Sequence, residues 1–366
     1  MKIECVKEKL AAAVSKAEKI TGKNLTLPVL SCVLLEVKNH NLTLKATNLD
    51  LGIEITIPVK VEKEGTVAVP GHILHSFLST LRANKNITLE TIEGSLHVST
   101  PTHSTVIKTL PPDDFPIIPK IEGEKTFTLN PQDFVKGLKS VAYSAAVSSM
   151  KPELSSIYIY PGDGVLVFVA TDSFRLAEKK VRVKKLPEFN HILIPFKNIS
   201  EIIRIMENAE DECDVAISKN QISFTFPELY LTSRIIDGNF PDYKQIIPKD
   251  KKTEAIILKE DLVGALRMAT IFSNKFNEVG IKALPSKKMF EIRTKNADVG
   301  ENSGHLDASL TGDDVEINFN YKYIADSFQS IDADSVSLQF NGISRPLVVR
   351  GIGDSTFQYI VMPMNK

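Results

Sequence analysis

The chain lacks the features that would place it in a membrane or send it out of the cell. No stretch of its 366 residues approaches 18 apolar positions, which argues against a transmembrane helix. The opening MKIECVKEKL holds no apolar run of the length a secretory signal needs. Cysteine is scarce: Cys5, Cys32 and Cys213 are odd in number and far apart. Such spacing suits neither a disulfide framework nor a zinc site. They read as buried small hydrophobes of a cytoplasmic protein.

An excess of positive charge is missing too. There are 44 basic and 45 acidic residues, with 14 of each in 1–124, 16 of each in 125–250, and 14 against 15 in 251–366. A protein that grips nucleic acid tightly carries a basic face, so any such role here is loose or rests on local charge. Catalytic signatures are equally sparse. Gly351-Ile352-Gly353 lacks the further glycine and the strand–helix context of a phosphate loop. There is no His-Glu-x-x-His. His72 and His75 share a helix but have no further ligands in view. Asp172 and Arg175 read as a structural ion pair, and Asp113-Asp114 as solvated acids in a proline-rich turn. No metal, cofactor or catalytic centre is expected.

What is present is a threefold repeat. At 366 residues, with 43% hydrophobic and 24% charged, the chain has room for two or three globular domains. Each third opens on an amphipathic helix. Leu10, Val14 and Ala17 face inward in 6–20, Phe134, Leu138 and Val141 in 131–146, and Val263, Leu266 and Ala269 in 260–273. Asn130 before Pro131 makes an N-cap followed by proline at the first helical position. Alternating strand segments follow at 42–59, 165–183 and 289–300, the first two sharing Ala46-Thr47 and Ala170-Thr171. Segments 67–81, 192–206 and 317–331 then align without gaps as a second helical region. Pro70, Pro195 and Asn320 mark equivalent points, with Leu74, Ile199 and Ile324, then Leu78, Ile203 and Phe328, on the buried face. Phe115-Pro116 and Phe240-Pro241 close two of the copies. The pattern predicts an α+β protein with domains 1–122, 123–250 and 251–366, joined near 119–124 and 248–252 where proline meets charge.

The segments TLPVLSCVLLEV (26–37), ATDSFRL (170–176), DGNFPDYKQIIP (237–248) and YIVMPMNK (359–366) together resemble the bacterial DNA sliding clamp family, the beta subunit of DNA polymerase III. The resemblance runs over the whole chain. It implies three processivity-fold domains, each with two helices backed by antiparallel sheets, and a ring-shaped head-to-tail homodimer around double-stranded DNA. A non-catalytic processivity factor would tether the polymerase III catalytic subunit, the clamp loader and other proteins bearing clamp-binding motifs. On that basis Lys9, Lys16, Lys23, Asn24, Arg82, Gln132, Lys136, Lys139, Lys197, Arg204, Arg267 and Lys322 are expected to face DNA. Asn24 stands where relatives commonly carry arginine. Phosphate contacts would supply affinity without reading sequence.

The resemblance further implies a peptide pocket built from Leu154, Thr171, Ser173, Phe174, Arg175, Leu176, Pro241, Gln245, Ile246, Ile343, Pro346, Ile360, Val361, Met362, Pro363 and Met364. An apolar groove with methionine can adapt to several short peptides. Ser173-Phe174 replaces a common Gly-His pair. Dimer closure is expected from Ile107, on a strand read over 98–110, together with Ile271 and Phe272. Two other readings remain open: a protein-only scaffold of repeated domains, with no charge preference on the helix faces, and a hydrolase whose carboxylate site is not recognisable.

Overall fold

A computed structural model of the chain describes residues 1–22, 26–81, 86–121, 125–148 and 150–364. The chain forms two compact units, one of 1–132 with 200–235, the other of 133–199 with 236–366.

Among the described residues, six helices fall on the segments of helical apolar spacing: α1 (Lys7–Ile20), α2 (Gly71–Thr80), α3 (Pro131–Val141), α4 (Phe196–Met206), α5 (Lys259–Ile271) and α6 (Tyr321–Ser327). Asn130 Oδ1 accepts from the Gln132 amide at 2.8 Å, and Asn320 caps α6 in the same way at 3.0 Å. These bonds satisfy amides that a helix start leaves without partners. The second helix of each copy starts later than its aligned segment. Residues 65–70, 192–195 and 315–320 are strands that run directly into α2, α4 and α6. Two positions expected inside are only half-buried, Val263 and Ile203; Leu262 and Ile202 take the inner places. A one-residue rotation of the stripe suffices, because neighbours on a helix lie about 100° apart.

In the first unit, an eight-stranded antiparallel sheet runs in the order 125–129, 213–217, 221–226, 229–234, 51–58, 41–47, 32–38, 65–70. Its centre joins the first and middle thirds of the sequence, with Leu229 opposite Ile55 and Ser233 opposite Leu51. A five-stranded sheet runs 60–63, 2–6, 86–92, 95–99, 104–108. The segment 98–110 is therefore two strands and not one. Pro101 cannot donate to a ladder, and the Thr100 amide bonds the His103 carbonyl at 2.8 Å to close the turn.

In the second unit, a nine-stranded sheet runs 192–195, 156–161, 165–171, 175–182, 357–361, 347–351, 335–340, 253–258, 308–312. A four-stranded sheet runs 300–306, 289–296, 278–284, 315–320. Phe134 of α3 meets Phe168 edge-on, centroids 5.3 Å apart at 70°. One turn on, a Cβ at Gly137 would come within 2.5 Å of that ring, so only glycine lets the helix lie this close. Among the described residues no helix is long and apolar enough to cross a membrane.

Candidate functional site

Strands 165–171 and 175–182 of the second unit form a hairpin whose turn is built by its own side chains. Asp172 Oδ1 accepts from the amides of Phe174 (2.9 Å) and Arg175 (3.0 Å). Thr171 Oγ1 accepts from the Ser173 amide at 3.1 Å and donates to the Arg175 carbonyl at 2.7 Å. Ser173 takes φ 78°, a left-handed conformation uncommon for a residue with a Cβ. The turn holds Phe174 outward, 61% exposed.

The last strand, Phe357–Val361, pairs with the second arm of this hairpin, Arg175 opposite Val361 and Leu176 opposite Ile360. The chain stays anchored beyond it. The Met362 amide donates to the Phe174 carbonyl and the Met364 amide to the Asn318 carbonyl, both at 2.8 Å. Met362-Pro363-Met364 is thus tied to the protein at both ends.

The loop 237–248 is fixed by aromatics. Phe240 stacks on Tyr158 with centroids 4.6 Å apart and planes 7° from parallel. Tyr243 is buried among Val167, Val169, Leu176 and Ile360. Its hydroxyl donates to Glu178 Oε2 at 2.5 Å and lies 2.8 Å from the Tyr160 hydroxyl. Burial first, and then the bond to Glu178, push this phenol above its ordinary range, so it remains a donor. With its anchors turned in, the loop leaves Pro241, Gln245 and Ile246 exposed.

The expected pocket residues therefore separate into two layers. Leu154, Thr171, Leu176, Pro346, Ile360 and Val361 are buried, Leu176 and Ile360 in one cluster with Tyr243. Ser173, Phe174, Pro241, Gln245, Ile246, Ile343 and Met362 are exposed, and Arg175, Pro363 and Met364 are intermediate. Arg175 is already committed. Its Nε bonds Asp172 at 2.9 Å, its Nη1 bonds Asp326 of α6, and its guanidinium lies 4.6 Å from the Tyr323 ring centre. The anchoring residues Tyr158, Tyr160, Phe240, Tyr243 and Glu178 were not among the expected set. Phe240 and Tyr243 lie inside the FPDY segment, and Tyr158 and Tyr160 alternate along one strand, so a signal for the aromatics was present.

Of the residues expected to face DNA, Lys23, Asn24 and Arg82 lie outside the described residues. Lys9 and Lys16 of α1, Gln132, Lys136 and Lys139 of α3, Lys197 of α4, Arg267 of α5 and Lys322 of α6 are exposed. Arg204 is half-buried, with Glu201 at 2.7 Å and the Ser15 carbonyl at 3.4 Å. Gln132 donates to the Glu207 carbonyl at 2.6 Å, which directs its amide along the protein surface. Lys136 lies 2.9 Å from Asp332; that bond raises the lysine pKa and lowers the aspartate's.

The expected dimer residues divide as well. Ile271 is 66% exposed and Phe272 half-buried beside Gly300. Ile107 is 4% exposed, and Val106 is the open apolar side chain of that edge strand at 53%. Alternation along a strand turns these neighbours to opposite faces. Ser104–Lys108 and Gly300–Leu306 are both sheet edges.

Comparison with known families assigns the chain. Models of the N-terminal, central and C-terminal domains of the DNA polymerase III beta subunit match residues 1–119, 128–242 and 244–365 in order. The chain belongs to that family. The family's three domain types account for the threefold pattern, and its members include the beta sliding clamps of Staphylococcus aureus (strain N315) and Staphylococcus epidermidis. Each is 26% identical over 360 residues, covering 94% of either chain. The fold is that of the polymerase III beta subunit from Pseudomonas aeruginosa solved with griselimycin, at TM-score 0.94, 24% identity and full coverage of both chains. The Thermotoga maritima beta subunit is alike at TM-score 0.94 and 24% identity, covering 100% of this chain and 99% of its own.

Proposed function

We propose that the chain is a DNA sliding clamp, a processivity factor with no catalytic centre of its own. The observation that carries this is the run of three beta-subunit domain types over residues 1–365, in order. A clamp works by topology: a closed ring around duplex DNA stays on it without reading sequence, and raises the local concentration of whatever it holds. The near-zero net charge suits a ring that slides, since every firm phosphate contact would hold it in place.

The domains of the proposal are 1–122, 123–250 and 251–366. Two copies close head to tail, the edge strand Ser104–Lys108 of one meeting Gly300–Leu306 of the other, with Ile271 and Phe272 at the seam. Lysines and arginines of the helices form a weakly positive bore. The exposed rim of Phe174, Ile246 and Met362 over the Leu176–Ile360 floor receives an extended apolar peptide from the polymerase III catalytic subunit, the clamp loader or another clamp-binding protein. A role on DNA and three free, buried cysteines, Cys5, Cys32 and Cys213, support a cytoplasmic location.

The test is retention before and after linearisation. The protein is loaded onto nicked circular plasmid by a clamp loader with ATP, isolated by gel filtration, and the plasmid is cut once. Retention on circles with release from linear DNA is the expected result. Retention on both would mean ordinary contact binding. A failure to associate, with the loader active on a control clamp, would overturn the reading in favour of a protein-only scaffold.

A further inference from the structure

The floor beneath the peptide site contains one residue that its apolar surroundings do not explain. Glu178 is 5% exposed, two positions along the strand from Leu176 and therefore on the same sheet face. Val169 and Gln358 are its cross-strand neighbours. Val169 belongs to one apolar cluster with Val167, Leu176, Tyr243 and Ile360. A buried carboxylate is costly unless its oxygens are bonded. Here they are: Tyr243 donates to Oε2 at 2.5 Å, Gln358 Nε2 donates to Oε1 at 2.9 Å, and Lys180 Nζ lies 3.6 Å away. A leucine in this place would pack with its neighbours but would leave the Tyr243 hydroxyl and Gln358 Nε2 without this acceptor. What leucine could not do is hold Tyr243 by its hydroxyl.

Tyr243 is the deepest anchor of the 237–248 loop, and that loop carries Pro241 and Ile246 to the rim. Its other hydroxyl neighbour, Tyr160, lies beneath Lys244 of the same loop, whose Nζ is 5.0 Å from the ring centre. The Tyr243 end of the loop is thus held to the sheet by the Glu178 side chain, beside the Phe240 stack on Tyr158.

We propose that Glu178 is a positioning residue for peptide capture: through Tyr243 it fixes the 237–248 loop at the height where Pro241 and Ile246 close on an apolar peptide. This rests on the pocket reading above. Glu178 touches no peptide; it sets the loop that does. Without the bond the loop keeps its aromatic packing but loses its register over the floor, and a bound segment leaves faster.

The experiment uses the full-length dimer and immobilised polymerase III catalytic subunit, with association and dissociation followed by surface plasmon resonance. The variants are Glu178→Leu, Glu178→Gln, Tyr243→Phe and the Glu178→Leu/Tyr243→Phe pair. Leucine and phenylalanine are each expected to weaken binding about tenfold, mostly by faster dissociation. Glutamine, which still offers Tyr243 an acceptor, is expected to stay within about twofold, and the pair to lose no more than either single change, as two ends of one bond should. Thermal unfolding of the Glu178→Leu/Tyr243→Phe pair, which removes both ends of the bond, is expected nearer the wild-type midpoint than that of Glu178→Leu, separating loop placement from general damage. Wild-type affinity in Glu178→Leu, additive losses in the pair, or glutamine failing as badly as leucine would each overturn the proposal. Should leucine prevent folding, Glu178→Gln and Tyr243→Phe decide alone, the first expected to bind and the second to weaken. A wild-type dimer that ignores the polymerase overturns the pocket reading itself, and this inference with it.

Discussion

Arg175 and Asp326 form an ion pair across 151 positions of sequence, tying the turn of the middle hairpin to α6. The same guanidinium holds Asp172 at 2.9 Å and covers Tyr323, so two of its donors serve the protein's own carboxylates. Arg175→Ala should therefore act first on stability, leaving two carboxylates without their partner at a cost of about 2–3 kcal/mol. Arg175→Lys should recover little, since an ammonium cannot reproduce the two-sided fork. Chemical denaturation of both variants checks this. Wild-type stability with lost polymerase binding would instead make Arg175 a direct peptide contact.

The bore residues differ in what they can offer DNA. Lys9 and Lys16 are exposed and seven positions apart, on one face of α1. Changing both to alanine should lower the dependence of DNA affinity on salt, measured as log K against log salt, by about two. Lys136→Ala should change it less, because Asp332 already partners that lysine. Equal slopes in all three proteins would remove these positions from the DNA path.

Two isoleucines assigned to the seam should behave oppositely. Ile271→Asp, at an exposed site, should leave the fold intact and shift the protein towards monomer in sedimentation velocity. Ile107→Ala, at a buried one, should cost about 2–5 kcal/mol of fold stability as a cavity. Val106→Asp then becomes the assembly test for the first-third edge. An Ile107→Ala protein of normal stability that fails to dimerise would return that residue to the interface.

Burial pushes the thiols of Cys5 and Cys213 up to about 12, and raises Cys32 as well. A raised acid pKa keeps the folded thiol neutral while the unfolded one ionises from about 8.5. Their contribution to stability is therefore complete below that pH and falls as pH rises towards 12. Iodoacetamide at pH 8 should leave all three unmodified in native protein and alkylate all three in denaturant, with unfolding easier at pH 10 than at pH 8. Rapid native alkylation at any of them would contradict the burial.

Helix placement was legible because three- and four-residue apolar spacing survives in each copy. It failed where a stripe could rotate by one residue, as at Ile203 and Val263, and at the starts of 67–81, 192–206 and 317–331, where a strand runs into the helix. The strand segments were legible as segments, but their partners were not, since alternation says which face a residue takes and nothing of which strand lies beside it. The pocket divided along the same line. FPDY and VMPM could be read, yet the side chains holding them, Tyr158, Tyr160 and Glu178, belong to strands far away in sequence. Glu178 gave no signal because an acid in an alternating run reads as surface until the strand on its other side is known.

That lateral pairing has a further consequence for how the chain can be taken apart. Strands from the middle third complete two different sheets: 229–234 is hydrogen-bonded to 51–58, and 175–182 to 357–361. A middle third expressed alone would bear two raw edges, each a template for aggregation. A nick in 248–252 cuts the thread and leaves both seams zipped. The cleaved protein should travel as a single particle, and fall into fragments only when the sheets melt.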